Sequence, residues 1–459
     1  MIVKTQTNAP VTVSGDSIER KKFAIAGGGM LGLTLAMRMA KQGHDVTLIE
    51  AAPTLGGLAS VWKIGDIEFD RHYHVTLLSD SRLRNLVDEI GLADEMNWVE
   101  TKTGFYTDDE LYSMSDTAEF LKFPPLKLME KLRLGGTIFY ASKIRNWKRL
   151  EKMPVADWLR RWSGKGTFEK IWLPLLRAKL GESYKKTSAA FIWAHINRMY
   201  KARRTGLKKE MFGYVRGGYR TIIHRLIQKL DELGVTVKTS HPIASVAKQA
   251  NGLFEIGYSN DQPSEHFDKV IMTTPNSILS RVCNDLSADE KARFDKVEYL
   301  GIVCASLLLK KPLSKYYVTN ITDTWVPMTA VIEMTTIVDP EELGGHSLVY
   351  LPKYVPAEHE LFDKSDEEIQ ADFLAALDRM YPHFDREDVI DFKISRVRSV
   401  MAIPTLNYSE LLPPMKSSVD GLYIVNSSYI LKGNLNVNES ITIAEEAMET
   451  VLKDELVGQ

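Results

Sequence analysis

Six residues near the start of the chain carry the clearest chemistry: Gly27-Gly28-Gly29-Met30-Leu31-Gly32. They fit the spacing GxGxxG through Gly27, Gly29 and Gly32. The short apolar run Phe23 to Ala26 reads as a buried strand leading into them. Leu33, Leu35, Ala36, Met39 and Ala40 then give a helical face, and Gly43 ends it. A second strand, Asp45 to Glu50, finishes on a carboxylate 18 positions after Gly32. This order suits a dinucleotide. One glycine makes the tight turn, one admits a pyrophosphate against the backbone, and one lets helix and strand pack closely. The helix N-terminus presents unpaired N–H groups and partial positive charge to the phosphates. Glu50 stands near the place, about 20 residues on, from which an acid accepts ribose hydroxyls.

Other chemistry-bearing residues are scattered. His72 and His74 in Phe69-Asp70-Arg71-His72-Tyr73-His74 are two apart and would share a face of a strand. They have no third ligand at a convincing spacing, so a metal is not expected. Arg177 could fork a phosphate and Lys179 could supply a point charge, or both could simply lie on a solvated helix end. The only two cysteines, Cys283 and Cys304, form no CxxC or zinc spacing and read as core residues of a reduced, cytoplasmic protein.

The elements that position these residues need a large scaffold. The chain has 459 residues, enough for two or three domains. Its 44% hydrophobic and 26% charged content is that of a globular protein and excludes disordered or fibrous classes. Residues 1–20 are polar, read as a loose tail, and lack the apolar core of a signal peptide. The longest apolar run, Leu300 to Leu309, is about half a membrane span. A net charge of −2 argues against nucleic acid as a partner, yet it conceals an asymmetry. Residues 101–220 hold 26 Lys and Arg against 11 Asp and Glu, a net of +15, which leaves −17 on the rest. Phe139 to Trp162 mixes aromatics with Arg and Lys at helical spacings. It reads as an anionic membrane surface contact, as the lining of a channel for an anionic substrate, or as a solvated face with inward tryptophans.

Beyond Glu50, the run Ala51 to Ser60 (AAPTLGGLAS) resembles the E-x-x-x-x-x-GG continuation of FAD-binding amine oxidases, protoporphyrinogen oxidases, phytoene desaturases and UDP-galactopyranose mutases. Leu58 replaces the arginine usual after the second Gly-Gly, which points towards the desaturase- or mutase-like members. Three later segments match in order. Tyr214 to Gly234 is similar to the helix before the adenine strand, followed by Val235 to Thr239 and Ile243. Phe267 to Pro275 is similar to the strand returning to the FAD domain, and Gly421 to Val425 with a helix from Asn438 to Leu452 is similar to the closing motif. There Asn426-Ser427 replaces the usual Gly-Asp.

The resemblance covers about residues 20–455 and implies the fold class. It is α/β, a Rossmann-like FAD-binding domain with a glutathione-reductase-type parallel sheet, interleaved with an α+β substrate domain. Segments 20–100, 212–275 and 400–459 would form the first; 101–211 and 276–399 would form the second. It implies non-covalent FAD, since neither cysteine has a flavin-attachment context. The cofactor contacts would come from Gly27, Gly29, Met30, Leu31 and Gly32, from Glu50 and Ala51, and from Gly56, Gly57 and Leu58. Further contacts would come from Ile243, Thr274 and Pro275, and from Asn426, Gly433 and Asn436.

For the reaction, the resemblance places His74 near the flavin ring, the other reading being a structural histidine bonded to a backbone carbonyl; Tyr408 (in Met401 to Tyr408) would be a substrate-facing aromatic or a packed loop tyrosine, and Arg177 and Lys179 would stand at an anionic handle. The implied activity is an FAD-dependent oxidoreductase taking hydride from a carbon of a small anionic or lipid-linked molecule. A mutase using reduced FAD on a nucleotide sugar is the alternative, and a flavin-binding surface protein without turnover is the third reading. The location would be cytoplasmic, with or without peripheral attachment to a membrane; no oligomeric state follows.

Overall fold

Five short runs, the central ones mostly apolar, meet as one parallel sheet. In the computed structural model, which describes residues 19–202 and 211–457, the order is Thr236–Lys238, Asp45–Ile49, Lys22–Ala26, Lys269–Met272 and Leu422–Ile424. The expected tail, residues 1–20, falls almost wholly outside the described residues. Strands buried on both faces need mostly apolar side chains, so the inner runs do not alternate with polar residues, whereas the partly exposed edge run Thr236–Lys238 does. Phe23 and Ile25 point to one side, and Ala24 and Ala26 to the other. The first side carries three helices, Met30–Lys41, Tyr219–Glu232 and Val437–Val457. The second carries a three-stranded antiparallel sheet (Ile243–Lys248, Phe254–Tyr258, Glu265–Phe267) with helices Asn276–Val282 and Ala288–Asp295. This is an α/β fold with strands drawn from 20–100, 212–275 and 400–459.

A seven-stranded mixed sheet forms the other half. Its order is Val389–Ala402, Tyr299–Leu309, Ser347–Pro356, Ala330–Glu333, Val318–Ile321, Thr103–Thr107 and Glu110–Ser113. The apolar run at 300–309 is its 11-residue second strand, buried along almost its whole length. Cys304, Leu308 and Tyr350 pack towards the helices between 128 and 202, while Val303, Leu307 and Leu351 pack towards the helix Asp366–Met380. The basic stretch Phe139 to Trp162 is not one helix. Leu128–Lys143 ends before Lys148–Glu151, and Pro154 caps the start of Val155–Ser163. A proline has no N–H to lose at that position, so it starts helices more easily than it continues them.

Candidate functional site

The first glycine loop lies where the sequence places it. Gly27 adopts φ +111°, open to few residues other than glycine, and its N–H donates to the Ile49 carbonyl at 2.7 Å. A side chain at Gly32 would collide with the Gly27 carbonyl oxygen, so this glycine sets the helix against the loop. Gly29 caps the helix Met30–Lys41 with no side chain. The first helical bond runs from the Leu33 N–H to the Gly29 carbonyl, and no acidic residue stands in the first turn. The Met30, Leu31 and Gly32 N–H groups therefore have no helical acceptor, which is the condition for binding an anion.

The second loop closes over the first. The Gly56 N–H donates to the Gly28 carbonyl at 2.8 Å, and Gly29 bridges to Gly56. A Cβ on Gly57 would lie 3.1 Å from the Gly29 Cα, whereas one on Gly29 would meet only the Gly57 Cα at 4.0 Å. Beside Gly29 there is open space. Glu50 accepts from the Gly28 N–H at 2.6 Å and the Ala52 N–H at 2.8 Å, which fixes its carboxylate at the rim. The chain before Ile243 joins this rim: the His241 N–H donates to the Glu50 carbonyl and the Ser240 N–H to the Ala52 carbonyl, both at 2.9 Å. Thr274 follows Thr273, whose N–H donates to the Ala26 carbonyl, and the buried Thr274 hydroxyl has no partner within the protein. Asn434 Oδ1, one residue past Gly433, is likewise buried and unpartnered. An uncapped helix N-terminus, a glycine-lined gap and two unmet polar groups fit a bound FAD.

The closing segment behaves differently from a direct ligand set. Asn426 is buried, and its amide uses its full capacity inside the protein. Nδ2 donates to the Thr274 carbonyl and to Asn276 Oδ1, each at 2.8 Å; Oδ1 accepts from the Ser428 N–H at 2.9 Å and the Ser428 hydroxyl at 2.7 Å. Asn426 thus fixes the turn that follows the last parallel strand. Asn436 accepts from the Glu439 N–H at 3.1 Å and starts the helix Val437–Val457. Pro275 caps the start of Asn276–Val282. Tyr408 is buried, donates to the Ser428 carbonyl at 2.9 Å, and lines a cavity together with Gly433, Asn434, Leu435, Phe191 and Met401.

The segment after the glycine loops departs from the strand expected for His72 and His74. The strand stops at Asp70, and residues 71–75 run irregularly because they bond to two different partners. The Arg71 N–H donates to the Ser60 carbonyl at 3.0 Å. His72 donates from Nδ1 to the Leu58 carbonyl at 3.0 Å and accepts at Nε2 from the Ser395 hydroxyl at 3.0 Å. One imidazole ties the second glycine loop to the seven-stranded sheet. Asp70 turns the other way and accepts the Tyr219 N–H at 2.8 Å, at the start of the helix Tyr219–Glu232. Burial lifts its pKa to about 8, against the lowering effect of the Tyr219 and Arg220 N–H groups. His74 donates from Nδ1 to the His72 carbonyl at 2.9 Å and tilts against the Tyr219 ring at 4.8 Å, leaving Nε2 as the lone-pair nitrogen. Among the described residues no group of three His, Cys, Asp or Glu could hold a metal ion.

Burial holds both imidazoles neutral, with pKa values of about 4. For His72 this sets a pH dependence. Above about pH 6.5 neither the folded nor the unfolded chain protonates it; below that the unfolded chain takes the proton first, and stability is lost until about pH 4. The loss should reach about 2 kcal/mol at pH 5. His72→Gln keeps a donor and an acceptor without titrating, so its deficit against the wild type should shrink by that amount between pH 7 and 5. Urea unfolding of both proteins at the two pH values measures it, and an unchanged deficit would refute the assigned protonation.

Arg177 and Lys179 part company. Arg177 is exposed and faces Glu182, 3.4 Å from Nε to Oε1. Lys179 turns inward, its Nζ 3.1 Å from the centre of the Tyr354 ring. Thr329 explains the meeting: its hydroxyl donates to the Ala178 carbonyl at 2.8 Å and accepts the Tyr354 N–H at 3.4 Å, joining helix to strand. The Tyr354 hydroxyl pairs with that of Tyr73 at 2.9 Å. His195, on the helix Ala189–Ala202, completes a set with no sequence signal. Its side chain is exposed, yet desolvation by the protein around it, then Arg198 and Lys179, lowers its pKa to about 4. A lone histidine in an apolar helix, the one available hint, more often belongs to the core.

Comparison with known proteins follows this geometry. The family described as "Flavin containing amine oxidoreductase" matches residues 31–433. A 15-cis-phytoene desaturase of Glycine max is 20% identical over 427 residues, covering 88% of this chain and 74% of its own. A proposed protoporphyrinogen oxidase from Exiguobacterium superposes with a TM-score of 0.74 and 18% identity, over 95% of this chain and 99% of its own. Reduced UDP-galactopyranose mutase superposes with a TM-score of 0.73 and 16% identity, over 94% and 96%. At such identities the two structures show the shared fold.

Proposed function

The chain belongs to the flavin containing amine oxidoreductase family and is an FAD-dependent oxidoreductase; on that footing we propose that it oxidises a small anionic or lipid-linked molecule by loss of hydride from carbon. FAD, when bound, supplies the hydride acceptor. The observation that carries the substrate reading is Lys179, a cation turned inwards onto Tyr354 beside the neutral His195 and Tyr73. A carboxylate or phosphate entering this space would draw the ammonium from the ring and replace a cation–π contact with a charge-assisted hydrogen bond. His74 offers Nε2 to the proton that leaves with the hydride, its Nδ1–H being committed to the His72 carbonyl. Tyr408 lines a cavity with Gly433 and Asn434. Arg177, out on the surface against Glu182, is better suited to guiding an anion in than to holding it.

The test is anaerobic bleaching of the flavin by a panel of carboxylates and lipid phosphates set against their methyl esters and parent alcohols. An anionic member should bleach it, and Lys179→Ala should raise the half-saturating concentration about tenfold while leaving the flavin bound. Equal bleaching by charged and neutral members would remove Lys179 from the site. Isomerisation of a nucleotide sugar, seen only after prior reduction of the flavin, would favour the mutase instead.

A further inference from the structure

The helix Leu128–Lys143 is built the wrong way round for a soluble surface. Its buried side is Lys131, Leu134, Thr137 and Ala141, with the Lys131 ammonium donating to the Leu121 carbonyl at 2.7 Å. Its outer side is apolar. Leu128, Met129, Leu132 and Phe139 are 64, 68, 57 and 56% exposed, at spacings that put them on one stripe. Gly135 and Gly136 fill the middle of the stripe with nothing near them. Tyr140 continues it onto Trp162 of the helix Val155–Ser163, with 4.1 Å between ring centres, and both residues are exposed. Four large apolar side chains on one helix face exceed the scattered exposure that folded surfaces tolerate.

The residues that flank the stripe in sequence are predominantly basic. Lys122 precedes the helix, Lys143 ends it, and Arg145, Lys148 and Arg149 follow directly; all are exposed, and none of them pairs with a carboxylate among the described residues. We propose that this face docks on the anionic surface of a phospholipid bilayer, with the stripe among the acyl chains and the cations at the headgroups. A second copy of the chain fits less well, because a twofold contact would set these cations against themselves. An anionic bilayer accepts both parts: apolar area enters the hydrocarbon boundary, and each basic residue near the surface adds attraction.

The stripe is also connected to the helix that carries His195. Trp193 Nε1 donates to the Ile144 carbonyl at 3.1 Å, and Asn197 Nδ2 donates to the Ala141 carbonyl at 3.2 Å. His195 lies between these two residues on the same helix, so the lipid-facing helix is bonded to the wall that carries His195. Docking there would put that wall within reach of a lipid-dissolved substrate. The inference does not depend on the substrate reading, since vesicle binding is measured without turnover.

The experiment is flotation of the full-length FAD-loaded protein with vesicles of phosphatidylcholine alone and of phosphatidylcholine with about one third phosphatidylserine. Binding to the mixed vesicles should exceed binding to the neutral ones and weaken as salt rises from about 0.1 M to about 0.5 M. Met129→Ser/Leu132→Ser/Phe139→Ser should reduce it at least about tenfold, with flavin content and melting temperature unchanged because all three side chains are exposed. Lys148→Glu/Arg149→Glu should abolish the preference for phosphatidylserine. Failure of the wild type to float, or equal flotation of the triple variant, overturns the proposal. So does a wild-type dimer in solution that the triple variant turns into a monomer, which would assign the face to a second copy.

Discussion

Gly29→Val should yield a folded, colourless protein. Gly29 has φ −73° and ψ 176°, a backbone that valine adopts without strain, and its Cβ would meet only the Gly57 Cα at 4.0 Å. The two methyl groups then occupy the gap between the glycine loops and stand in front of the Met30, Leu31 and Gly32 N–H groups. A pyrophosphate loses at least two charge-assisted hydrogen bonds, each worth about 1.5–3 kcal/mol, so FAD affinity should fall on the order of a thousandfold. Gly32→Val makes the contrast. Its side chain would run into the Gly27 carbonyl, and that variant should be poorly folded as well as colourless. Reconstitution of both apoproteins with FAD, followed by equilibrium dialysis and thermal melts, separates a lost site from a lost fold. A Gly29→Val protein that stays yellow would refute the assigned cradle.

The second large effect concerns the turn after the last parallel strand. Asn426→Asp should destabilise the protein by about 2–4 kcal/mol. The amide NH2 serves the Thr274 carbonyl and Asn276 Oδ1, both acceptors, and a carboxylate can donate to neither. The new charge would also be buried against two oxygens. Rotation of the Asn276 amide recovers one contact at most, and protonation of the introduced carboxyl at low pH recovers another. Urea unfolding should therefore show a deficit at pH 7.5 that narrows towards pH 5. A variant as stable as the wild type at both pH values would show that the Asn426 amide is not locked in the turn.

Local signals explain what could be read from the sequence. The stretch from Phe23 to Glu50 encodes strand, tight turn, helix and strand within thirty or so residues, each step fixed by neighbours in the chain. Its glycines and acid therefore stand where spacing put them. The Gly56-Gly57 loop was legible for the same reason, although its contact with Gly29 is tertiary. His72 was harder to read. Its two partners, Leu58 and Ser395, lie 14 and 323 positions away, and no period-two pattern can report a residue that leaves its strand to bridge them. The Lys179–Tyr354 contact depends on Thr329 joining two elements far apart in sequence, and His195 reaches the same space from a third. The resemblance suggested a direct cofactor contact at Asn426; the structure shows a side chain already satisfied by its neighbours. The charge asymmetry of 101–220 was visible, whereas the exposed stripe was hidden because Leu128, Met129 and Leu132 look like ordinary core residues until the fold shows which way they face.

The two glycine loops should hold FAD without a covalent bond. Both thiols are buried in packed regions, and burial pushes that of Cys283 up to about 12 and that of Cys304 higher still, so neither is poised to attack a flavin. The most direct measurement is the visible spectrum of the purified wild-type protein, followed by acid precipitation and assay of the flavin released. The expected result is a yellow protein with about one FAD per chain, all of it in the supernatant after precipitation. A colourless protein that takes up no added FAD, or a flavin that stays with the pellet, would contradict it.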